Sequence, residues 1–173
     1  IRQIPWEVPL NSDAPTQVLD EDAVHTLHDG AMRVLEEIGV EFIHEEARRI
    51  LGQAGCLVST DSDNVRMDRD FVMEQVAKAP ADFRITPRNP ARKVIVGGDC
   101  MLFGNVGSPP NCSDLDRGRR AGDRESFQDL IKLTQFFNCI HFMAGYPVEP
   151  VDIRPAPRHL DCMYDTLTLT DKV

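Results

Sequence analysis

The sequence lacks any long hydrophobic run. No segment of its 173 residues approaches the roughly 18 consecutive apolar residues that a membrane-spanning helix requires. It also lacks the basic start and short apolar core that mark a secretory signal peptide. We therefore expect no membrane segment and no membrane partner. The content of 42% hydrophobic and 27% charged residues is typical of a globular protein.

The sequence also lacks paired cysteine spacing. It contains five cysteines, and no two of them are arranged as CxxC. An odd number of cysteines without such spacing favours reduced thiols and hence a cytoplasmic protein. These residues are Cys56, Cys100, Cys112, Cys139 and Cys162.

Positive charge is scarce. The 19 Lys and Arg residues are outnumbered by 28 Asp and Glu residues, which gives a net charge of −9. A nucleic-acid partner is therefore not expected, because backbone binding depends on basic residues that neutralise phosphates. The short basic run at 117–120 is flanked by acidic residues, and we predict that it forms a solvated surface loop.

Several catalytic signatures are missing from the glycine-rich stretch MLFGNVGSPPNCSDLD at 101–116. It contains neither of the common phosphate-binding glycine motifs, and Pro109 and Pro110 remove backbone donors that a phosphate cradle would need. Ser108 lacks the GxSxG setting of a nucleophile elbow. The DxHxxG pattern of a corrinoid carrier is also absent from the chain, so we expect no cofactor to be bound directly.

Two His–Cys pairs have spacings only loosely similar to those of zinc ligands. Cys139 and His141 fall on one face of a predicted strand, whereas His159 and Cys162 are three residues apart on a predicted helix. Neither pair matches a common zinc pattern. We favour a buried cysteine and a hydrogen-bonded core histidine, and we predict no metal site.

The periodicity of apolar residues divides the chain into two parts. Residues 1–19 contain three prolines and are predicted to form an extended arm. From residue 20 to about residue 80, apolar residues recur mainly at helical spacing. Later residues alternate between short apolar strands and amphipathic helices, which predicts parallel strand pairing. The predicted helices lie at about 20–39, 44–54, 69–78, 124–138 and 157–170. The later predicted strands are centred on 94–96, 101–103 and 140–144.

Two loops follow the predicted strands at 101–103 and 140–144. Binding sites of parallel α/β folds lie beyond the carboxyl ends of the strands, so these loops are the expected site. Aromatic rings placed there can contact a quaternary ammonium group, although core positions are favoured for the phenylalanines. The candidate substrate-binding residues are Phe103, Asn105, Gly107, Ser108, Tyr146 and Glu149; no catalytic residue is assigned.

The order of these segments resembles the trimethylamine methyltransferase family, which contains corrinoid-dependent methylamine and betaine methyltransferases. The resemblance is carried by HTLHDGAMRVLEEIGVEF, HEEARRILGQAGCLV, the PRNP turn within VRMDRDFVMEQVAKAPADFRITPRNPARKVIVGGDCMLFG, and the long stretch from GNVGSPPNC to GYPVEPVDI. It covers most of the chain. No single motif is diagnostic, but the ordered set is fairly specific.

The resemblance implies an α/β fold, with an N-terminal helical extension at 1–82 and the first strands and helices of a TIM (β/α)8 barrel at 83–173. It implies methyl transfer from a tertiary or quaternary amine, such as trimethylamine or a betaine, to the cobalt of a partner corrinoid protein. Since the barrel would be incomplete, we expect an N-terminal portion that is inactive alone. Exposed edges of a partial barrel also favour a homo-oligomer.

Two other functions remain open on the sequence. One is a metal-dependent barrel hydrolase that uses His141, and the other is a non-catalytic assembly module. Trimethylamine enzymes of the family carry a pyrrolysine that would lie beyond Val173. The sequence therefore does not choose between trimethylamine and betaine substrates.

Overall fold

The structure is a computed structural model that describes residues 2–14 and 16–172. Its described residues fall into two compact units of mixed α and β structure. We call residues 14–80 the helical unit. Residues 2–13 and 81–172 form the mixed unit, so the N-terminal arm groups with the later part of the chain.

The first helix of the helical unit confirms the sequence prediction. Helix α1 (Glu21–Arg33) begins after Asp20, whose carboxylate accepts a hydrogen bond from the amide of Ala23 at 2.8 Å. It continues as one π-helical turn (Val34–Ile38) and ends at Gly39, which has a φ of 83°. A side chain at Gly39 would clash with the backbone carbonyl of Val65, so glycine is required there.

The rest of the helical unit is built around a small antiparallel sheet. Its elements are β1 (Val40–Glu41), α2 (Glu45–Gln53), β2 (Leu57–Val58), β3 (Asn64–Arg66) and α3 (Arg69–Val76). Strand β3 lies between β1 and β2, and its central residue Val65 is fully buried. Helices α2 and α3 confirm the helices predicted at 44–54 and 69–78.

The mixed unit begins with two β-hairpins. Strands β4 (Asp82–Ile85) and β5 (Val94–Gly97) pair antiparallel, with Phe83 opposite Val96. A 3₁₀ turn at Pro90–Arg92 joins them. Strands β6 (Asn111–Asp114) and β7 (Gly118–Ala121) form the second hairpin. The predicted loop at 117–120 is instead part of β7 and its turn, but the segment lies at the surface and two of its arginines pair with nearby acidic residues, as predicted.

Local hydrogen bonding explains why this polar segment is ordered. One oxygen of Asp114 accepts from the amides of Asp116 and Arg117, at 3.0 and 2.6 Å. The other oxygen lies 2.6 Å from the guanidinium of Arg120. The backbone donor of Arg117 and the charge of Arg120 lower the pKa of Asp114 to about 2. An acidic side chain thus closes the hairpin turn.

Two helices complete the mixed unit and confirm the predictions at 124–138 and 157–170. Helix α4 (Arg124–Phe136) is capped by Asp123, which accepts from the amide of Ser126 at 2.8 Å. Helix α5 (Pro155–Leu169) contacts α4, with Pro155 at its first position, where a missing N–H costs no helical hydrogen bond. The fully buried core between these elements consists of Phe127, Ile131, Val148 and Cys162.

The strands predicted at 101–103 and 140–144 are present only as isolated bridges. Gly104 pairs with Phe142 in parallel, which is the predicted direction. Side chains interrupt the ladder on both sides of this pair, because the amide of Phe103 donates to the His141 imidazole and the amide of Ala144 donates to the Asn105 side chain. Backbone carbonyls would accept both bonds in a regular parallel ladder.

The N-terminal arm packs along the mixed unit through backbone hydrogen bonds. The amide of Asn11 donates to the carbonyl of Asp99, and the amide of Met101 donates to the carbonyl of Pro9, both at 2.8 Å. Leu10 forms an antiparallel bridge with Cys100. Among the described residues, no helix combines the length and the hydropathy required to cross a membrane.

Candidate functional site

Two loops singled out by the sequence lie side by side in the mixed unit. We call 104–110 and 144–149 the paired loops. The amide of Ser108 donates to the carbonyl of Tyr146 at 2.5 Å, and the amide of Glu149 donates to the carbonyl of Pro109 at 2.9 Å. These bonds hold the loops together beyond the point where the two parallel segments end.

The close approach of the paired loops depends on small residues. A Cβ at Gly107 would lie 2.8 Å from the carbonyl oxygen of Ala144, and a Cβ at Gly104 would lie 2.7 Å from the ring of Phe142. Ser108 has a φ of 56°, a left-handed conformation that is uncommon for residues other than glycine. Such conformations are often found at functional sites, where the surrounding structure holds them in place.

Asn105 bridges the paired loops with its side chain. Its Oδ1 accepts from the amide of Ala144 at 2.6 Å. Its Nδ2 donates to the carbonyl of Val106 at 3.1 Å and lies 3.5 Å from the carbonyl of Gly145. Each end of the carboxamide therefore faces a backbone group of complementary character.

A groove of about 540 Å³ lies beside the first loop. One wall is the loop itself with Pro147, and strand β6 and the apolar face of α4 form the others. The only side-chain amides in this lining are those of Asn105 and Asn111, and it contains no charged residue. The α4 residues in the groove are Leu130, Leu133 and Thr134, and Phe137 follows directly after the helix.

Two predicted site residues of the second loop, Tyr146 and Glu149, contact side chains of the core and of α5. The ring of Tyr146 packs edge-on against Phe127, with centroids 5.4 Å apart. Burial raises the pKa of Tyr146, and the neighbouring Cys162 thiol adds to the shift. The carboxylate of Glu149 is paired with Arg158 at 2.5 Å. These contacts anchor the second loop to the core and to α5.

Phe103 occupies a different position from the other predicted residues. It is about half exposed, and its ring lies 5.9 Å from that of His141. The other five predicted residues lie within the paired loops. The structure thus brings together Asn105, Gly107, Ser108, Tyr146 and Glu149, and places Phe103 at their edge.

His141 has the features of a hydrogen-bonded core histidine. It is 1% exposed, its Nδ1 accepts from the amide of Phe103 at 3.0 Å, and its Nε2 lies 2.9 Å from the carbonyl of Glu7. The ring must therefore carry its hydrogen on Nε2, which leaves neither nitrogen free for a metal. Within residues 2–14 and 16–172, no group of three or more His, Cys, Asp or Glu is placed to hold a metal ion.

A cationic cluster around Trp6 was not anticipated from the sequence. Arg92 and Lys172 lie over the indole at 5.2 and 5.4 Å, and His141 meets it edge-on at 5.2 Å. The ammonium of Lys172 donates to the carbonyl of Phe137 at 2.7 Å and also to that of Thr134. These residues are far apart in sequence and share no motif, so no local signal could have identified the cluster.

Sequence comparisons show the family to which the chain belongs. The chain matches the family described as "Trimethylamine methyltransferase (MTTB)" over residues 1–173, and it belongs to that family. This membership confirms the resemblance inferred from the ordered segments. Among curated proteins, it is 34% identical over 155 residues to the glycine betaine methyltransferase of Desulfitobacterium hafniense (strain Y51). The match covers 90% of this chain but 32% of that relative, so the chain spans about a third of its length.

Proposed function

We propose that this chain is the N-terminal part of a cytoplasmic methyltransferase that takes a methyl group from a tertiary or quaternary amine. The methyl acceptor would be the cobalt of a corrinoid carried by a partner protein. The family match over the whole chain carries this proposal. The relative named glycine betaine methyltransferase favours a betaine over trimethylamine as the substrate.

We propose the fold of the complete protein on the same basis. Residues 83–173 would form the entry and first strand–helix units of a TIM barrel, and 1–82 would form its N-terminal extension. The parallel bridge between Gly104 and Phe142 supports this assignment, as do helices α4 and α5 after the bridged segments. Sites of such barrels lie at the carboxyl ends of the strands, where the paired loops are.

The six sequence-predicted residues would contribute to the mouth of the substrate site. Asn105, Gly107 and Ser108 would set the path of the first loop, while Tyr146 and Glu149 would fix the second. Phe103 would supply an aromatic face, which suits a quaternary ammonium because its charge is spread over methyl groups. The adjoining groove is uncharged, so it would favour methyl-rich surfaces over hydrated ions.

The chemistry of the methyl acceptor determines which roles the residues of this chain would have. The corrinoid of the partner would serve as the nucleophile and methyl acceptor, the carbon–nitrogen bond would break with its electron pair on nitrogen, and the demethylated amine would leave. The residues of this chain would orient the methyl group and exclude water. Orientation of this kind accounts for a large part of the rate in reactions between two bound partners.

The test uses the longer polypeptide that contains this chain. It is mixed with free cob(I)alamin and, separately, trimethylamine, glycine betaine, proline betaine or carnitine, and methylcobalamin is followed by absorbance. We expect turnover with a betaine. No turnover with any of the four amines, when the protein is folded and its cognate corrinoid protein is also supplied, would contradict the proposal.

The 173-residue chain alone is proposed to be inactive. The same assay tests this with a preparation whose intact mass shows only these residues. Turnover at the rate of the longer polypeptide would show that the remaining part is dispensable.

A further inference from the structure

The structure assigns to Asn105 the role of a positioning residue that fixes the separation of the paired loops. This inference rests on the proposed function for its catalytic consequence, but its structural part is independent of that function. Asn105 is neither a general acid nor a general base. It acts through the backbone of the second loop.

Asn105 lies where the strand pairing ends. The parallel pairing of Gly104 with Phe142 does not continue as a regular ladder. Instead, the amide of Ala144, two residues beyond Phe142, donates to Oδ1 of Asn105, the residue after Gly104, at 2.6 Å. A carboxamide oxygen has the same acceptor chemistry as a backbone carbonyl. The side chain of Asn105 therefore serves as a substitute peptide group where the segments diverge.

The amide nitrogen of Asn105 faces backbone carbonyls of both loops. Asn105 Nδ2 donates to the carbonyl of Val106 in its own loop, and it lies 3.5 Å from the carbonyl of Gly145 in the other. Both donor and acceptor capacities of the side chain are thus directed at backbone groups of the paired loops. Side chains of other lengths would not reach these groups with the same geometry.

The Asn105 bridge lies at the groove and at the start of the second loop. Asn105 lines the groove of about 540 Å³, and Ala144 and Gly145 are the first two residues of the second loop. Beyond them, Gly107 approaches the carbonyl of Ala144 so closely that a Cβ would clash, and Ser108 holds a left-handed backbone. Loss of the Asn105 bridge would relax these contacts and widen the mouth.

The experiment uses the longer polypeptide with Asn105→Ala and the control Asn138→Ala. Asn138 also donates a side-chain bond to a backbone carbonyl, that of Ile4 at 2.8 Å, but it contacts the N-terminal arm instead of the paired loops. Hydrogen–deuterium exchange is measured by mass spectrometry on peptides that contain Ala144. Since one hydrogen bond contributes about 1 kcal/mol, we expect exchange roughly fivefold faster in Asn105→Ala and unchanged in Asn138→Ala.

A third variant separates the acceptor from the donor. Asn105→Asp keeps the oxygen that accepts from Ala144 but loses the donor to Val106. We expect it to retain most of the protection at Ala144. Exchange as fast as in Asn105→Ala would show that Oδ1 is not the acceptor that protects this amide.

Kinetics then distinguish positioning from simple stabilisation. With the betaine that is turned over, we expect Asn105→Ala to lower kcat/KM roughly tenfold, as a small misplacement of the substrate does, with the melting temperature within a few degrees of wild type. Accelerated exchange with unchanged kcat/KM would reduce Asn105 to a structural residue and overturn the positioning role. If wild type turns over no amine, the proposed function fails, whereas the exchange result still decides whether the bridge exists.

Discussion

His141 and Glu7 are joined by a hydrogen bond across 134 residues of sequence, with Nε2 lying 2.9 Å from the carbonyl oxygen. The same ring accepts from the amide of Phe103 through Nδ1. One imidazole therefore connects the N-terminal arm, the segment before the first loop and the segment before the second. The arm is thus an integral part of the mixed unit.

Replacement of His141 by alanine is expected to loosen the part of the arm around Trp6 and Glu7. The change leaves the carbonyl of Glu7 and the amide of Phe103 without partners, so we expect a loss of about 2–3 kcal/mol in the free energy of unfolding. The chain has one tryptophan, Trp6, which lies against His141, so its emission reports the arm directly. Urea unfolding followed by tryptophan fluorescence measures the free energy of unfolding. The emission maximum of the variant before urea is added reports the arm, and we expect it to be red-shifted relative to wild type.

His159→Ala is the matched control, because His159 is an exposed histidine on α5. It should leave the emission and the midpoint unchanged. An emission spectrum of His141→Ala identical to that of wild type would mean that the arm is held without this residue.

The contact between α4 and α5 depends on a buried carboxylate. Asp165 is 2% exposed and accepts from Arg124 Nε at 2.9 Å and from Gln128 Nε2 at 3.0 Å. Asp165→Ala removes the closer, buried carboxylate partner of a half-buried guanidinium, so we expect a loss of about 2–3 kcal/mol in a chemical denaturation experiment. Asp161 lies 3.6 Å from the same guanidinium but is partly exposed. Asp161→Ala should lower the free energy of unfolding by less than about 1 kcal/mol. Equal losses in the two variants would show that the buried carboxylate contributes no more than the exposed one.

Lys172 should make stability depend on pH in the alkaline range. Burial, with the neighbouring charge of Arg92, lowers the pKa of Lys172 to about 8 from an ordinary value of 10.5. Between these values the unfolded chain binds more protons than the folded one, so stability conferred by this residue rises with pH. The cost of its burial is fully present below pH 8 and is relieved as the pH increases through 8.

The measurement is the difference in unfolding free energy between wild type and Lys172→Met at pH 7, 9 and 10. Cysteine and tyrosine titrations are common to both proteins and cancel. We expect the difference to shift in favour of wild type as the pH rises. A difference that is constant with pH would show that Lys172 keeps its ordinary pKa in the folded chain.

Two glycine substitutions should have opposite effects. Gly107→Ala places a Cβ 2.8 Å from a backbone oxygen in the second loop, and we expect it to destabilise by about 1–3 kcal/mol. Gly30 lies inside α1 with open space around it, so Gly30→Ala should stabilise by roughly 0.5–1 kcal/mol through helix propensity. Thermal unfolding of both variants tests this, and a neutral Gly107→Ala would show that the paired loops move apart freely.

Local patterns were enough to predict the helices. The apolar spacing of α1, α2 and α4, together with cap residues such as Asp20 and Gly39, encodes each helix within a short stretch. The location of the paired loops was also predictable, because it follows from where the apolar segments end. Family membership was recognisable from the order of those segments.

Features that depend on distant side chains could not be predicted in this way. The β6–β7 hairpin has no apolar alternation, and its order comes from the hydrogen bonds that Asp114 accepts. The regular ladder expected at 101–103 is interrupted by the side chains of His141 and Asn105, which replace backbone acceptors. No periodicity reveals such replacements, since each depends on a partner about 40 residues away.

The position of the arm has a consequence for folding during synthesis. Residues 2–13 leave the ribosome before their partners do: Asp99, Cys100 and Met101 follow about 90 residues later, and Asn138 and His141 follow more than a hundred residues later. At a typical elongation rate of ~5–20 residues per second, the arm waits on the order of ten seconds for His141. The helical unit, whose internal contacts are complete by residue 80, is available to fold within that interval. Trp6 therefore gains its contact with Arg92 before its contacts with His141 and Lys172, which form only after translation has passed the second loop.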